Sequence, residues 1–227
     1  MDLSDEIHIP QILPVMTLKE TVLFPHAVMP LFIFEPRYRS MLEEVLQSHR
    51  LFAIFNERED DDGQEEQPQQ IGTVGVVRAA HKNPDGTSNL ALQGIVRVRL
   101  EDIVQETPYR MIRVTPCPTP LEDEELIEKE KMRGQILSII EGEPELVSGL
   151  PDEYLDFIKS LEKPAPFIDV AIHSICHSTT VKQRLLETIP LIARYEIFEQ
   201  FLLKEKNKLQ LFQQLQGDTR EDEIDLN

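Results

Sequence analysis

The stretch Leu13–Leu46, LPVMTLKETVLFPHAVMPLFIFEPRYRSMLEEVL, holds two apolar runs of strand length and then a change of period. Ile12–Leu18 and Met29–Phe34 are short, apolar and bracketed by prolines. Proline has no N–H to give a ladder, so Pro14, Pro25 and Pro30 predict edge strands or strand starts. From Glu35-Pro36 onward, Tyr38, Met41, Leu42, Val45 and Leu46 recur at i, i+3, i+4, i+7 and i+8. That spacing is one stripe of a helix, with Pro36 at its first position.

Outward from this stretch the first half remains strand-rich. Leu51–Phe55 is predicted as a buried strand, Ile71–Ala80 as another, and Asn83-Pro84-Asp85-Gly86 as the turn after it. Leu90–Val104 is predicted as a long strand with a bulge at Gly94, and Ile95–Leu100 alternates as a half-buried strand does. Tyr109–Val114 follows, and Pro116, Pro118 and Pro120 stiffen the chain where a boundary is expected near residue 120. Between the strands, Glu57–Gln70 carries seven carboxylates against the single Arg58, which predicts a solvated, mobile loop over 57–70.

The second half changes to helical spacing. Leu121–Glu141, a helix after Pro151, another after Pro164 and Pro166, and Val181–Leu186 behind the capping-box form Thr180-Val-Lys-Gln183 are each predicted helices. After Pro190, Leu191, Tyr195, Phe198 and Leu202 step by four, three and four, and Leu209 and Phe212 prolong the stripe until Gly217 is expected to end it. The predicted organisation is a β-rich unit over 1–120, a helical unit over 121–216 and a disordered acidic tail over 217–227. The fold class is α+β.

Of 227 residues, 23 are Lys or Arg and 41 are Asp or Glu, so the net charge is −18, and the excess is acidic in both halves. Nucleic-acid and anionic-membrane binding draw on clustered cations, so neither partner is expected. No apolar run reaches membrane-spanning length, the N-terminus carries no signal-peptide pattern, and two cysteines (Cys117 and Cys176) suit a reducing compartment. A cytoplasmic protein is the expectation.

Catalytic signatures are missing. No glycine is followed by lysine, so there is no phosphate-cradling loop, and GxSxG and HExxH are absent. His173-Ser-Ile-Cys176-His177 places two histidines at i and i+4, a spacing that could hold zinc or copper. A fourth ligand is lacking, so a core cysteine with rim histidines is the preferred reading and no metal or cofactor is expected. Arg37 and Arg39, and Arg97 and Arg99, sit near carboxylates, which favours structural ion pairs over an anion site.

The order of Leu23-Phe24-Pro25, Pro30-Leu31 and Phe34-Glu35-Pro36-Arg37-Tyr38 closely resembles the opening of the Lon protease N-terminal domain family. Further agreement comes from Ile71-Gly72-Thr73-Val74-Gly75, Leu92-Gln93-Gly94 followed by Arg97, Pro108-Tyr109-Arg110, and Lys182–Thr188 followed by Ala193-Arg194. The resemblance spans roughly residues 10–215. It implies a PUA-like twisted β-barrel followed by a helical bundle, as a stand-alone form without the AAA+ and Ser–Lys protease domains, and hence no enzyme. Pro25, Pro30, Glu35, Pro36, Arg37, Tyr38, Gly72, Gly75 and Gly94 are expected to serve the fold.

The function that follows is recognition of unfolded or exposed polypeptide, as a holdase or an adaptor for a separate protease or ATPase. The polypeptide contact is expected at Phe24, Met29, Leu31, Phe32 and Phe34 and along one side of the last helix. A scaffold for one folded partner, including self-association through that helix, is the second reading, and RNA binding by analogy with PUA-like folds is the weaker third.

Overall fold

The computed structural model describes residues 8–58, 67–119 and 126–224; of 126–127 and 216–224 it describes the backbone only. The chain forms two compact units, Met1–Pro120 with Asp169–Ile189, and Leu121–Ile168 with Pro190–Asn227. The boundary expected at residue 120 is therefore accompanied by a second feature. A helical stretch from the later half belongs with the strands.

The first unit contains β1 (Ile12–Leu18), β2 (Val28–Ile33), α1 (Pro36–Gln47), β3 (Leu51–Arg58), β4 (Gln67–Pro68), β5 (Ile71–Lys82), β6 (Ser88–Gln105) and β7 (Met111–Pro116). Strands run in the order β1-β7-β6-β5-β3, and β3 returns to β1 in parallel register from Val15↔Ala53 to Leu18↔Asn56. The sheet therefore closes on itself, which removes the unpaired edges an open sheet would present. Leu13, Val15, Phe55, Val74, Val98 and Ile112 fill one side. Tyr38, Met41, Leu42 and Val45 of α1 cover the other, packing on Phe52, Val77, Leu90 and Leu92.

The prolines did not make β1 an edge. It pairs on both sides, residues 12–14 with β7 and residues 15–18 with β3, and Pro14 stands where the partner changes. Pro36 does open α1, with Glu35 before it making no side-chain cap. The loop expected over 57–70 is shorter than predicted, because Glu57 and Arg58 pair with Pro68 and Gln67; residues 59–66 lie outside those described.

Three signature glycines have a steric reason. A Cβ on Gly72 would meet Phe55 and the Ile54 carbonyl, and one on Gly75 would meet Leu92. On Gly94 it would collide with the Phe24 carbonyl oxygen. Here the Leu23-Phe24-Pro25 loop lies against β6, held by His26 N–H to Gly94 O (2.9 Å) and Gly94 N–H to Ala27 O (2.9 Å). The register of β5 and β6 shifts at the same place, between Val74/Gly75, as the expected bulge requires.

Arg97 is one residue past that bulge. Strand alternation assigns it to solvent, yet it is 1% exposed, as is Asp169. Its Nη1 and Nη2 donate to the two Asp169 oxygens at 2.8 and 2.7 Å, and Nε donates to Leu186 O at 2.9 Å. The Phe24 ring lies under the guanidinium, 5.6 Å from Cζ to centroid. Asp169 is on α4 (Pro164–Ile175) and Leu186 is on α5 (Thr179–Glu187). Gln183 of α5 adds a bond to Ile71 O at 3.1 Å. The expected capping box at Thr180 is not the cap: Ser178 Oγ accepts from Val181 N–H at 3.4 Å, two residues earlier in the chain.

His173, one turn beyond Asp169, sets its ring edge-on to Phe24 at 6.4 Å. The residue as a whole is partly enclosed, but Nδ1 is buried without a partner. Burial, then the nearby Lys182 charge, pushes the imidazole down to about 4, against a hydrogen bond with the Val22 backbone.

In the second unit, α2 (Leu126–Gly142), a 3-10 turn (Pro144–Val147), α3 (Asp152–Ser160), the first part of α4 and α6 (Leu191–Ile224) pack together. Ile136, Ile140, Ile158, Phe167, Tyr195, Phe198 and Leu202 are buried, and Tyr195 Oη donates to Pro164 O at 2.9 Å. Helix α6 does not stop at Gly217 but continues to Ile224; one glycine costs a helix only about 1 kcal/mol. Residues 225–227 lie outside those described.

Three outcomes follow from this packing. Asp169→Ala leaves a buried guanidinium unpaired and should cost about 3–5 kcal/mol in urea unfolding, whereas Arg97→Met with Asp169→Leu should recover much of that loss. Gly94→Ala should cost about 1–3 kcal/mol, since the obstacle is main chain and cannot rotate away. The depressed His173 means the unfolded chain takes a proton first. Its contribution is complete above about pH 6.5 and is lost as pH falls towards about 4, by up to about 3 kcal/mol. Unfolding midpoints measured across that range should fall less steeply for His173→Gln.

Candidate functional site

Outside the closed ring, β2 pairs with β6 in antiparallel register from Val28↔Gln93 to Ile33↔Ser88. That half of β6 pairs in turn with the end of β5, so β2, β6 and β5 form a three-stranded extension. Among the described residues β2 pairs with β6 alone, which leaves its other edge unpaired.

Strand alternation sorts the apolar residues of β2 between two faces. Ile33 is buried, and Met29 and Leu31 pack partly against the cluster beneath α1. Val28, Pro30 and Phe32 face outward, with Val28 48%, Phe32 54% and Phe34 59% exposed. The Phe32 and Phe34 rings stack at 5.9 Å with 26° between planes. Beside them Ala79, Ala80, His81, Asn89, Leu90 and Ala91 line a shallow depression. The outward positions of β2 and of its β6 partner are Val28, Pro30, Phe32, Asn89, Ala91 and Gln93, none of them a carboxylate. The nearby charges are engaged: Arg78 Nε donates to Gln93 Oε1 at 2.6 Å, and Lys82 pairs with Glu43 at 2.7 Å. That pairing holds the Glu43 carboxyl below the usual carboxylate range. The surface is thus a flat, largely apolar shelf beside an unpaired strand edge.

Of the five residues expected to contact polypeptide, the structure brings Phe32 and Phe34 together on this surface. Met29 and Leu31 turn inward beneath them, and Phe24 is enclosed between Arg97 and His173. The sequence did not single out Val28, Ala79 or Ala91. In VMPLFI every residue is apolar, so polarity carried no sign of which face was covered.

The signature residues differ in their exposure. Pro25 and Tyr38 are buried, and Arg37 bonds Glu35 at 2.9 Å while lying 4.4 Å over the Tyr38 ring. Pro30 is exposed in the middle of the outward row of β2, and Pro36 and Arg37 are exposed as well. Tyr109 Oη donates to Glu44 at 2.5 Å, and burial together with that carboxylate raises its hydroxyl to about 12.

The histidine pair is not brought together as a ligand set. Helix α4 ends at Ile175, so the i, i+4 geometry is broken before the exposed His177. Among the described residues no group of three or more His, Cys, Asp or Glu is placed to hold a metal ion. No helix of the described residues is long and apolar enough to cross a membrane.

Residues 12–204 match the family described as the ATP-dependent protease La (LON) substrate-binding domain. The Lon protease of Dictyoglomus thermophilum is 24% identical over 220 residues, covering 96% of this chain and 28% of that protein. That of Geobacter metallireducens is 23% identical over 221 residues, covering 96% and 27%. The chain therefore spans about a quarter of the length of these relatives. Among solved structures, the N-terminal domain of Mycobacterium avium complex Lon protease has a TM-score of 0.65 at 16% identity, over 84% of this chain and 97% of that one. A Lon N-terminal domain protein from Xanthomonas campestris has a TM-score of 0.56 at 20% identity, over 85% and 97%. These structural likenesses establish the α+β fold, and the match over residues 12–204 establishes the kinship: the chain belongs to the Lon substrate-binding domain family.

Proposed function

We propose that this chain is a recognition module that binds exposed apolar polypeptide segments in extended form along β2 and carries out no chemistry on them. The observation that supports this most directly is the outward row of β2, with Val28, Phe32 and Phe34 exposed on a strand that has one unpaired edge. An extended segment laid against that edge takes main-chain hydrogen bonds from β2. Its alternate side chains rest on the Phe32–Phe34 stack and over the Ala79–Ala91 depression. Aromatic rings suit this role because they bury a large area while losing little side-chain freedom.

The net charge of −18 keeps a protein with such a surface soluble and draws in clients with basic flanks. The family's description as a substrate-binding domain supports capture of protein substrates. On this reading the bound segment is held, or passed to a separate ATPase and protease.

Fluorescence anisotropy with a labelled apolar peptide tests the reading, alongside light scattering of a reduced, aggregating test protein. Phe32→Ser with Phe34→Ser should weaken peptide binding by about tenfold or more and leave the circular dichroism unchanged. Equal binding by that variant would move the site away from β2. A wild-type chain that neither binds the peptide nor slows aggregation would overturn the function itself.

A further inference from the structure

The extension that carries β2 has two outer edges, and they are built differently. Past Val77, β5 pairs with β6 alone, so among the described residues 78–82 have an unpaired side. That stretch carries exposed Arg78 and Lys82, and its register shifts between Val77 and Ala79. Charge and a bulge both keep a strand edge from pairing with another. The outward row of β2 has no charge; what it has is Pro30, exposed at its centre.

The main-chain groups of β2 alternate as its side chains do. Gly94 N–H donates to Ala27 O at 2.9 Å, one residue before the Val28↔Gln93 pair. Bonded and unbonded pairs alternate in an antiparallel ladder. Met29, Leu31 and Ile33 therefore turn their N–H and C=O groups to β6, and Val28, Pro30 and Phe32 turn theirs to the free edge. Pro30 takes nothing from the β6 ladder, since its missing N–H would have pointed the other way. The free edge is what it changes. That edge presents the N–H and C=O of Val28 and of Phe32, but the C=O alone of Pro30.

Taking β2 as the recognition strand, the reading on which this rests, we propose that Pro30 reserves the free edge for a strand of another chain and denies it to a second copy of this one. A client strand meets a single missing donor. Its own N–H still reaches Pro30 O, and one client carbonyl is left to water. Two β2 edges laid together bring two prolines, so every register that pairs both lacks two bonds. A two-fold axis through Pro30 sets proline against proline and removes a whole bonded pair. A register that leaves the prolines out pairs only the ends of the strands. The net charge of −18 on each copy opposes the same contact, but salt screens that repulsion and does not supply the missing bonds.

Pro30→Val restores the N–H at an exposed position with a residue that suits a strand. A client then gains one bond and a second copy gains two. Affinity for a labelled apolar peptide should rise about three- to tenfold. Self-association by sedimentation velocity in high salt should exceed that of the wild-type chain by roughly the square of that factor. Excess peptide should reverse the added self-association, because both occupy one edge. Pro30→Ala should move both measurements in the same direction. On the wild-type chain, a lysine-flanked peptide of apolar residues alternating with threonine is N-methylated one residue at a time. Binding should fall about tenfold or more at every second residue and hold between them. The sensitive set is the apolar residues in an antiparallel segment and the threonines in a parallel one. This alternation with no added self-association in Pro30→Val overturns the role of Pro30 and leaves the reading of β2 standing. So does self-association that peptide fails to reverse, or a gain no larger than the peptide's. Uniform loss along the peptide, or none, overturns the edge and the role of Pro30 together.

Discussion

The buried fork of Arg97 on Asp169 is the interaction on which the β-rich unit depends. A guanidinium taken out of water is tolerable only when its donors are satisfied, and here two reach the Asp169 carboxylate and a third the Leu186 carbonyl. Lysine could not replace it, since a point charge on a flexible stem lacks the planar fork that meets both carboxylate oxygens at once. The pair explains why Asp169–Ile189 belongs with the strands although its sequence is helical. It also gives Phe24 a place, as the apolar floor beneath the guanidinium. The conformation of the Leu23-Phe24-Pro25 loop, the absence of a side chain at Gly94 and the orientation of α5 therefore rest on one charge being correctly paired.

Closure of the barrel determines which strand keeps a free edge. With β3 returning to β1, the strands of the ring use both their edges, and the extension carrying β2 retains a free one. That edge coincides with exposed aromatic side chains and with a neighbouring row free of carboxylates, in a chain whose net charge is strongly negative. A general acidity and a locally uncharged, apolar strip are compatible because the acids are concentrated elsewhere, above all between Glu57 and Glu66.

Much of the fold was legible in the residues. The change from an apolar run to helical spacing after Pro36 located α1, the alternation over Ile95–Leu100 located β6, and Pro116, Pro118 and Pro120 located the end of the strands. Less legible were features set by what lies across from a residue. Pro14 suggested an edge, but β1 changes partner at that position and never needs the missing N–H. Thr180 had the form of a cap, but the helix begins earlier, behind Ser178. Gly217 resembled a stop, yet a single glycine is a weak barrier in a helix of 34 residues.

The candidate site divides in the same way. By itself the sequence determined the kind of surface this protein could offer. It is apolar, proline-broken and aromatic, in a sequence without the GxxxxGK[ST], GxSxG or HExxH patterns, because those are properties of residue type and spacing. Only the tertiary structure decided which of Phe24, Met29, Leu31, Phe32 and Phe34 would meet solvent. In an unbroken apolar run, the burial of each ring depends on the layers packed against it. Those layers are α1, which follows β2 directly, and the Arg97-anchored helices near Phe24, which come from sequence far along the chain.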